Sequence, residues 1–273
     1  MVFLVLPAAL VTLILFGVPM LVLLRISLNS FSPTQLMQEA VTFENYHRAF
    51  SDPYYQEVMG TTLTVALVCT VISLVLGFPA AHWLARMNSR WKSTVTILTL
   101  FPLLIGNVVR SAGWIALIGP NGALNSATRV LGLPSAQLMY TPQAVVLGTV
   151  AVVLPLMILT LASVIEGIPR QAEEAASSLG AKPFTVFRRV LLPQTMPGVA
   201  AGSVLVFILC MNAFATPILL GGPRFTMMAP AVYDQFMRGS NWPFGAALAF
   251  ILLTTTLGVT IAVSEFLARL SRR

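Results

Sequence analysis

Six stretches of this chain, about 2–24, 59–84, 94–118, 143–165, 197–220 and 244–268, are apolar over roughly the 20 residues that a helix needs to cross a bilayer. They predict six transmembrane helices in an all-α integral membrane protein, a single domain over 1–273. A soluble fold is excluded because 57% of the residues are hydrophobic and 9% charged, too few charges to cover a polar surface, and the mean hydropathy is +0.85. The run from Val2 lacks the basic start and small-residue cleavage site of a signal peptide and is too long for its apolar core, so it reads as a retained helix.

An even number of spans puts both termini on one side. Ten basic residues, Arg86, Arg90, Lys92, Arg170, Lys182, Arg188, Arg189, Arg269, Arg272 and Arg273, fall after the second, fourth and sixth spans. The stretches on the other side, with loops at about 29–57, 119–142 and 221–243, hold Arg25, Arg48, Arg129, Arg224 and Arg238. The excess of Lys and Arg marks the cytoplasmic side, so both termini are expected there, although the first span alone points the other way. The net charge of +7 is accordingly a topology signal and not a nucleic-acid surface. Cys69 and Cys210 lie in apolar runs without metal-site or disulfide spacing and read as small core residues.

The segment 166–196 is long and rich in structural signals. Pro169 suits a first helical turn, and Arg170 to Leu179 form a helical run with Ala172, Ala176 and Leu179 along one face. Gly180 supplies the left-handed residue that ends such a helix. From Pro183 a second short helix presents Phe184, Phe187 and Leu191 on one side and Arg188 and Arg189 on another, and Pro193 is expected to stop it. Two short helices joined by a glycine elbow make a docking knob for another protein.

Glu174-Ala175-Ala176, then three residues and Gly180, then nine residues and Val190-Leu191-Leu192-Pro193, resembles the EAA loop of ABC-importer permeases. Val190 stands where the family pattern has Ile. The resemblance implies the type I permease fold in a bacterial inner membrane, with the loop inserted in a cleft of an ATPase subunit. In that picture Glu174 makes a polar contact, Ala175 and Ala176 permit close approach, Gly180 sets the angle, and Val190, Leu192 and Pro193 complete the motif. It also implies a homologous second permease, two copies of the ATPase holding ATP and Mg, and a periplasmic substrate-binding protein.

Val109-Arg110-Ser111-Ala112-Gly113-Trp114, Gly122-Ala123-Leu124-Asn125, Thr216-Pro217-Ile218-Leu219-Leu220-Gly221-Gly222-Pro223 and Asn241-Trp242-Pro243-Phe244-Gly245-Ala246-Ala247 extend the resemblance to spermidine/putrescine-type permeases. Importers of amino-acid derivatives, opines and other small organic ions share the pattern and stay open as alternatives. A polyamine path needs carboxylates and aromatic faces, for which Asp234, Tyr233, Trp114 and Trp242 are candidates. The simpler reading of Asp234 is a solvated loop acid, and that of the tryptophans is interfacial belt residues. Arg110 lies inside the third span, where an Arg costs roughly 2.5–3.5 kcal/mol. It snorkels, pairs with an acid, or faces a path for anionic or zwitterionic solutes.

Gly198 and Gly202 have the spacing that lets membrane helices pack closely. Ser89 and Lys92 match a bare SxxK pattern without its companion motifs, so no acyltransferase is implied. The chain has no GxxxxGK[ST] loop and no Gly-Lys dipeptide, so energy must come from a partner. An ion-coupled secondary transporter should show mid-membrane carboxylates, whereas Glu166 and Glu265 lie near span ends. An intramembrane enzyme lacks a paired catalytic set. The expectation is a permease without catalytic residues, working by alternating access.

Overall fold

The computed structural model describes residues 2–32, 36–132, 134, 137–223 and 225–271, and only the backbone of 2–6, 8, 9 and 266–271. Arg224, Arg272 and Arg273 of the charge pattern lie outside the described residues. In chain order the helices are α1 (Val2–Ser27), α2 (Glu44–Ser51), α3 (Pro53–Arg86), α4 (Lys92–Leu104), α5 (Asn107–Ile118), α6 (Ala123–Val130), α7 (Pro142–Glu166), α8 (Arg170–Ser178), α9 (Pro183–Val186), α10 (Leu192–Met211), α11 (Met228–Met237) and α12 (Trp242–Ser271). Among the described residues, π-helical turns are also found at Phe187–Leu191 and Pro217–Gly221.

Among the described residues, five spans are long and apolar enough to cross a bilayer: Leu10–Ser27, Pro53–Arg86, Pro142–Glu166, Pro183–Met211 and Trp242–Glu265. The sixth is broken, α4 meeting the segment from Asn107 at 94°. The continuous helix expected over 94–118 is therefore corrected to two. Pro102 cannot donate to the helical ladder, Ile105 turns extended at ψ 127°, and α5 starts afresh after Gly106. Carbonyl groups freed at such a break need donors, because lipid offers none. Arg110 supplies them, its Nη2 donating to Pro102 O and, at 2.8 Å, to Ile105 O.

The fifth expected span, 197–220, is also corrected. The helix runs from Pro183 to Met211, the ladder breaks around 212–214, and the chain resumes in the π-helical turn Pro217–Gly221. Pro193 does not stop a short helix but sits in the first turn of α10. A proline there strands a carbonyl and crowds the preceding turn; the π-helical turn just before it, where Leu192 N–H donates to Phe187 O, widens the ladder and takes up the strain.

The described chain divides into two compact units, residues 1–61 with 227–255 and residues 62–226 with 256–273. In the first, buried Asn45 donates from Nδ2 to Ser27 O (2.9 Å) and Asn29 O (2.8 Å), capping the end of α1. A second asparagine in the same unit caps a helix start: Asn241 Oδ1 accepts from Phe244 N–H, at the beginning of α12, at 3.1 Å. The Phe244 ring is fully buried beneath the Arg48 guanidinium at 4.7 Å and meets the Tyr55 ring at 4.9 Å.

The second unit is organised around α7 and α10. Thr141 opens α7 by accepting from Ala144 N–H at 3.3 Å, with Pro142 in the first turn. A Cβ placed on Gly198 would lie 2.9 Å from Val164 Cγ2, and one on Gly202 2.9 Å from Met157 Sδ. Gly77 of α3 receives the same methionine, its Cβ position lying 3.0 Å from Met157 Cγ. Apolar burial alone does little between helices already in lipid, so this seam is held by dispersion at close range. Gly198 and Gly202 thus act as the packing pair that their spacing predicts. Cys69 and Cys210 are free and buried in the same unit.

Candidate functional site

The loop 166–196 begins with α8, whose end is a full left-handed cap. Gly180 takes φ +80°, its N–H donates to Ser177 O at 3.0 Å, and Ala181 N–H donates to Ala176 O at 3.1 Å. A Cβ on Gly180 would meet nothing within 4 Å, so the demand for glycine is purely conformational. Lys182 is extended, and Pro183 in the first turn starts the next helix.

At the tip of this loop Glu174, Ala175 and Gly180 are exposed and Ala176 is half-buried. Two large apolar side chains project there, Leu179 at 89% exposure and Phe184 at 71%. Further on, Val190 and Leu192 are half-buried, Pro193 is exposed and Leu191 is buried. Outward apolar groups on a polar loop are the composition of a surface that another protein covers.

The root of the loop is tied down by charge. Arg86, at the end of α3, pairs through Nη2 with Glu173 Oε1 and donates from Nη1 to Ile168 O at 3.0 Å. Arg170 Nη2 in return donates to Arg86 O at 2.6 Å. His82 Nε2 stands 4.0 Å from Glu173 Oε2, and Lys92 Nζ lies 3.0 Å from Glu166 Oε1. Glu173, one residue before the expected Glu174, is thus the acid that grips α3. Its sequence signal is the pair His82 and Arg86, four residues apart on one helix face. Counted only as topology charges, Arg86 and Lys92 give no hint of direction. Beside this root a cleft of about 660 Å³ opens between α3 and the loop, walled by Leu74, Phe78, Val186, Phe187 and Leu191, with Glu173 at its edge. The Phe78 and Phe187 rings cross it edge to face at 5.1 Å.

The proposed path residues fall in both units. Tyr233 and Asp234 lie on α11 and Trp242 at the start of α12, in the first unit. Asp234 is paired with Arg238 at 3.3 Å one turn away, and Trp242 meets the Phe236 ring edge to face at 6.1 Å. Arg110 and half-buried Trp114 lie on α5 in the second. The hydrogen bonds of Arg110 go to backbone carbonyls and not to an acid among the described residues; it holds the α4–α5 break together. Of the other motif glycines, Gly222 needs its φ of +69°, and a Cβ there would strike the Tyr140 ring at 2.5 Å. Ser89 Oγ accepts from Trp91 N–H at 3.2 Å and Lys92 is paired with Glu166, so the SxxK residues serve local structure.

Residues 74–272 match the family model described as binding-protein-dependent transport system inner membrane component. The chain is 33% identical over 248 residues to the spermidine/putrescine transport system permease protein PotB of Haemophilus influenzae, covering 90% of this chain and 86% of that one. It is 33% identical over 247 residues to PotB of Escherichia coli, covering 90% and 89%. Its fold matches a chain of a bacterial alginate ABC transporter, solved in complex with an alginate pentasaccharide-bound periplasmic protein, with a TM-score of 0.81 at 15% identity over 98% of this chain and 93% of that one.

Proposed function

The chain belongs to the binding-protein-dependent transport system inner membrane components, the multi-pass permeases of ABC importers, and from that premise we propose that it carries spermidine and putrescine inward. The observation that carries the substrate assignment is the 33% identity with spermidine/putrescine permeases over 90% of the chain. All 273 residues act as one permease domain with both termini in the cytoplasm. The chain pairs with a homologous permease and two copies of an ATPase that hold ATP and Mg, and receives its substrate from a periplasmic binding protein.

The loop 166–196 is the surface for the ATPase. Its support is the exposed tip of Leu179, Phe184, Glu174 and Ala175 around a rigid Gly180 elbow. ATP-driven closure of the ATPases moves the loops together and opens the cavity outward; hydrolysis returns it inward. Only interactions that differ between the two states can drive such a switch. Tyr233, Asp234, Trp114 and Trp242 are the proposed contacts for the cationic substrate, and Arg110 is assigned to the helix break, where its Nη2 hydrogen bonds go.

Uptake of labelled putrescine and spermidine into cells lacking the chain tests both parts. Wild type should restore energy-dependent uptake, and Gly180→Val should not. Restoration of neither compound by wild type would remove the polyamine assignment, and equal uptake by Gly180→Val would remove the docking role of the loop.

A further inference from the structure

Helix α8 carries two adjacent acids that do different things. Successive helical residues point about 100° apart. Glu174 is therefore exposed at the surface while Glu173 faces back onto α3. Arg86 makes two connections at once, to the Glu173 carboxylate on α8 and to Ile168 O at the turn where α7 passes into α8. Arg170 closes the ring by donating to the Arg86 carbonyl, one of those that the end of α3 leaves without a helical partner. The Arg86 and Glu173 side chains are only 16% and 21% exposed, so water screens this pair less than an ordinary surface ion pair.

Apolar packing does little to make this connection. Between the Leu74–His82 stretch of α3 and the Val186–Leu192 stretch of the loop lies the cleft of about 660 Å³. A helix can push or pull another only through groups in contact with it, and across the cleft the structure shows the Phe78–Phe187 ring contact and the charged root. We infer that Arg86 and Glu173 are positioning residues of transport, a clasp that delivers the displacement of α8 to the end of α3 so that the two elements move as one body.

This inference rests on the proposed docking of the loop to an ATPase, and its test separates the two. The assembled importer, with its ATPase and binding protein, is reconstituted in vesicles with Arg86→Gln, Glu173→Gln, the double variant, and the charge-keeping Arg86→Lys and Glu173→Asp. The Gln variants should retain the ATPase subunit on purification and still hydrolyse ATP, while labelled putrescine taken up per ATP falls roughly ten-fold. The double variant should be no worse than either single one, and the charge-keeping variants should recover most of the loss. Wild-type transport per ATP in both Gln variants overturns the clasp. Loss of the ATPase subunit from Glu173→Gln also overturns it, because Glu173 would then be a docking residue.

A second measurement does not depend on the substrate. With nitroxide labels introduced through Leu76→Cys on α3 and Ser178→Cys on α8, ATP binding should leave the label distance unchanged in the otherwise wild-type complex and shift it in Glu173→Gln. A shift in the wild-type complex overturns the clasp. Gly180→Val with undiminished uptake and normal ATPase retention would instead sink the docking reading.

Discussion

The seam between α7 and α10 and the elbow of the loop both depend on glycine, yet a methyl group added at each meets opposite conditions. At Gly198 and Gly202 it would lie 2.9 Å from Val164 and Met157 on backbones that any residue can adopt. At Gly180 it would find open space, on a backbone at φ +80° that side chains with a Cβ disfavour. The seam is limited by volume and belongs to the packing that holds spans together; the elbow is limited by conformation and orients the tip proposed to meet the ATPase. One residue type thus serves close packing in one place and a left-handed turn in the other.

The largest effect that should break this comparison is at the seam. Gly198→Leu must push Val164 aside in a stiff, β-branched contact and should cost about 1–3 kcal/mol or more, seen as a lower thermal unfolding temperature of the purified complex. Gly198→Ala should show a smaller loss of the same kind. At the elbow, Gly180→Val should cost about 1–2 kcal/mol of local strain, with insertion and purification yield unchanged while uptake fails. Gly180→Asn, which tolerates the left-handed region, should keep uptake; equal damage from Asn and Val would make volume the limit there as well.

A third position sharpens the contrast because neither volume nor conformation decides it. Arg110→Leu strands the Ile105 carbonyl and leaves Pro102 O only the Ile105 N–H at 3.4 Å, at about 1–3 kcal/mol, but removes a membrane charge worth roughly 2.5–3.5 kcal/mol. These nearly offset, so thermal stability should change little while the spread of distances between labels on α4 and α5 widens. The smallest effect belongs to Asp234→Asn, which breaks a partly exposed pair with Arg238 worth about 0.5 kcal/mol or less. Its stability should be unchanged, and a ten-fold rise in the KM for uptake would place Asp234 on the substrate path.

The spans were legible where the physics is local to the sequence. Apolar length predicts α1, α3, α7 and α12 to within a few residues at most ends, and the Gly180 cap follows from one glycine after a helical run. The failures share a cause: hydropathy counts residues and is blind to the ladder. Pro102 and Gly106 lie in an apolar stretch that averages as one span, and the break is stable only because Arg110 reaches back to it, a partnership between residues eight and five apart. Pro193 likewise reads as a stop because a π-helical turn has no sequence signature as plain as a proline's. In the loop the family pattern draws attention to Glu174, while Glu173 is distinguished only by what it faces, 87 residues away in sequence.

The π-helical turn Phe187–Leu191 sets the rotational phase of the helix that follows it. A π-helical turn holds one residue more than an α-helical one, and a single residue is worth about 100° of rotation. Forcing the turn back to an even α-helical ladder with all its residues kept would swing Gly198 and Gly202 away from Val164 and Met157, while leaving the tip of the loop where it is. The turn is therefore an angular adjuster: it sets the loop's orientation and the face that the span turns to its neighbour independently, within one unbroken helix.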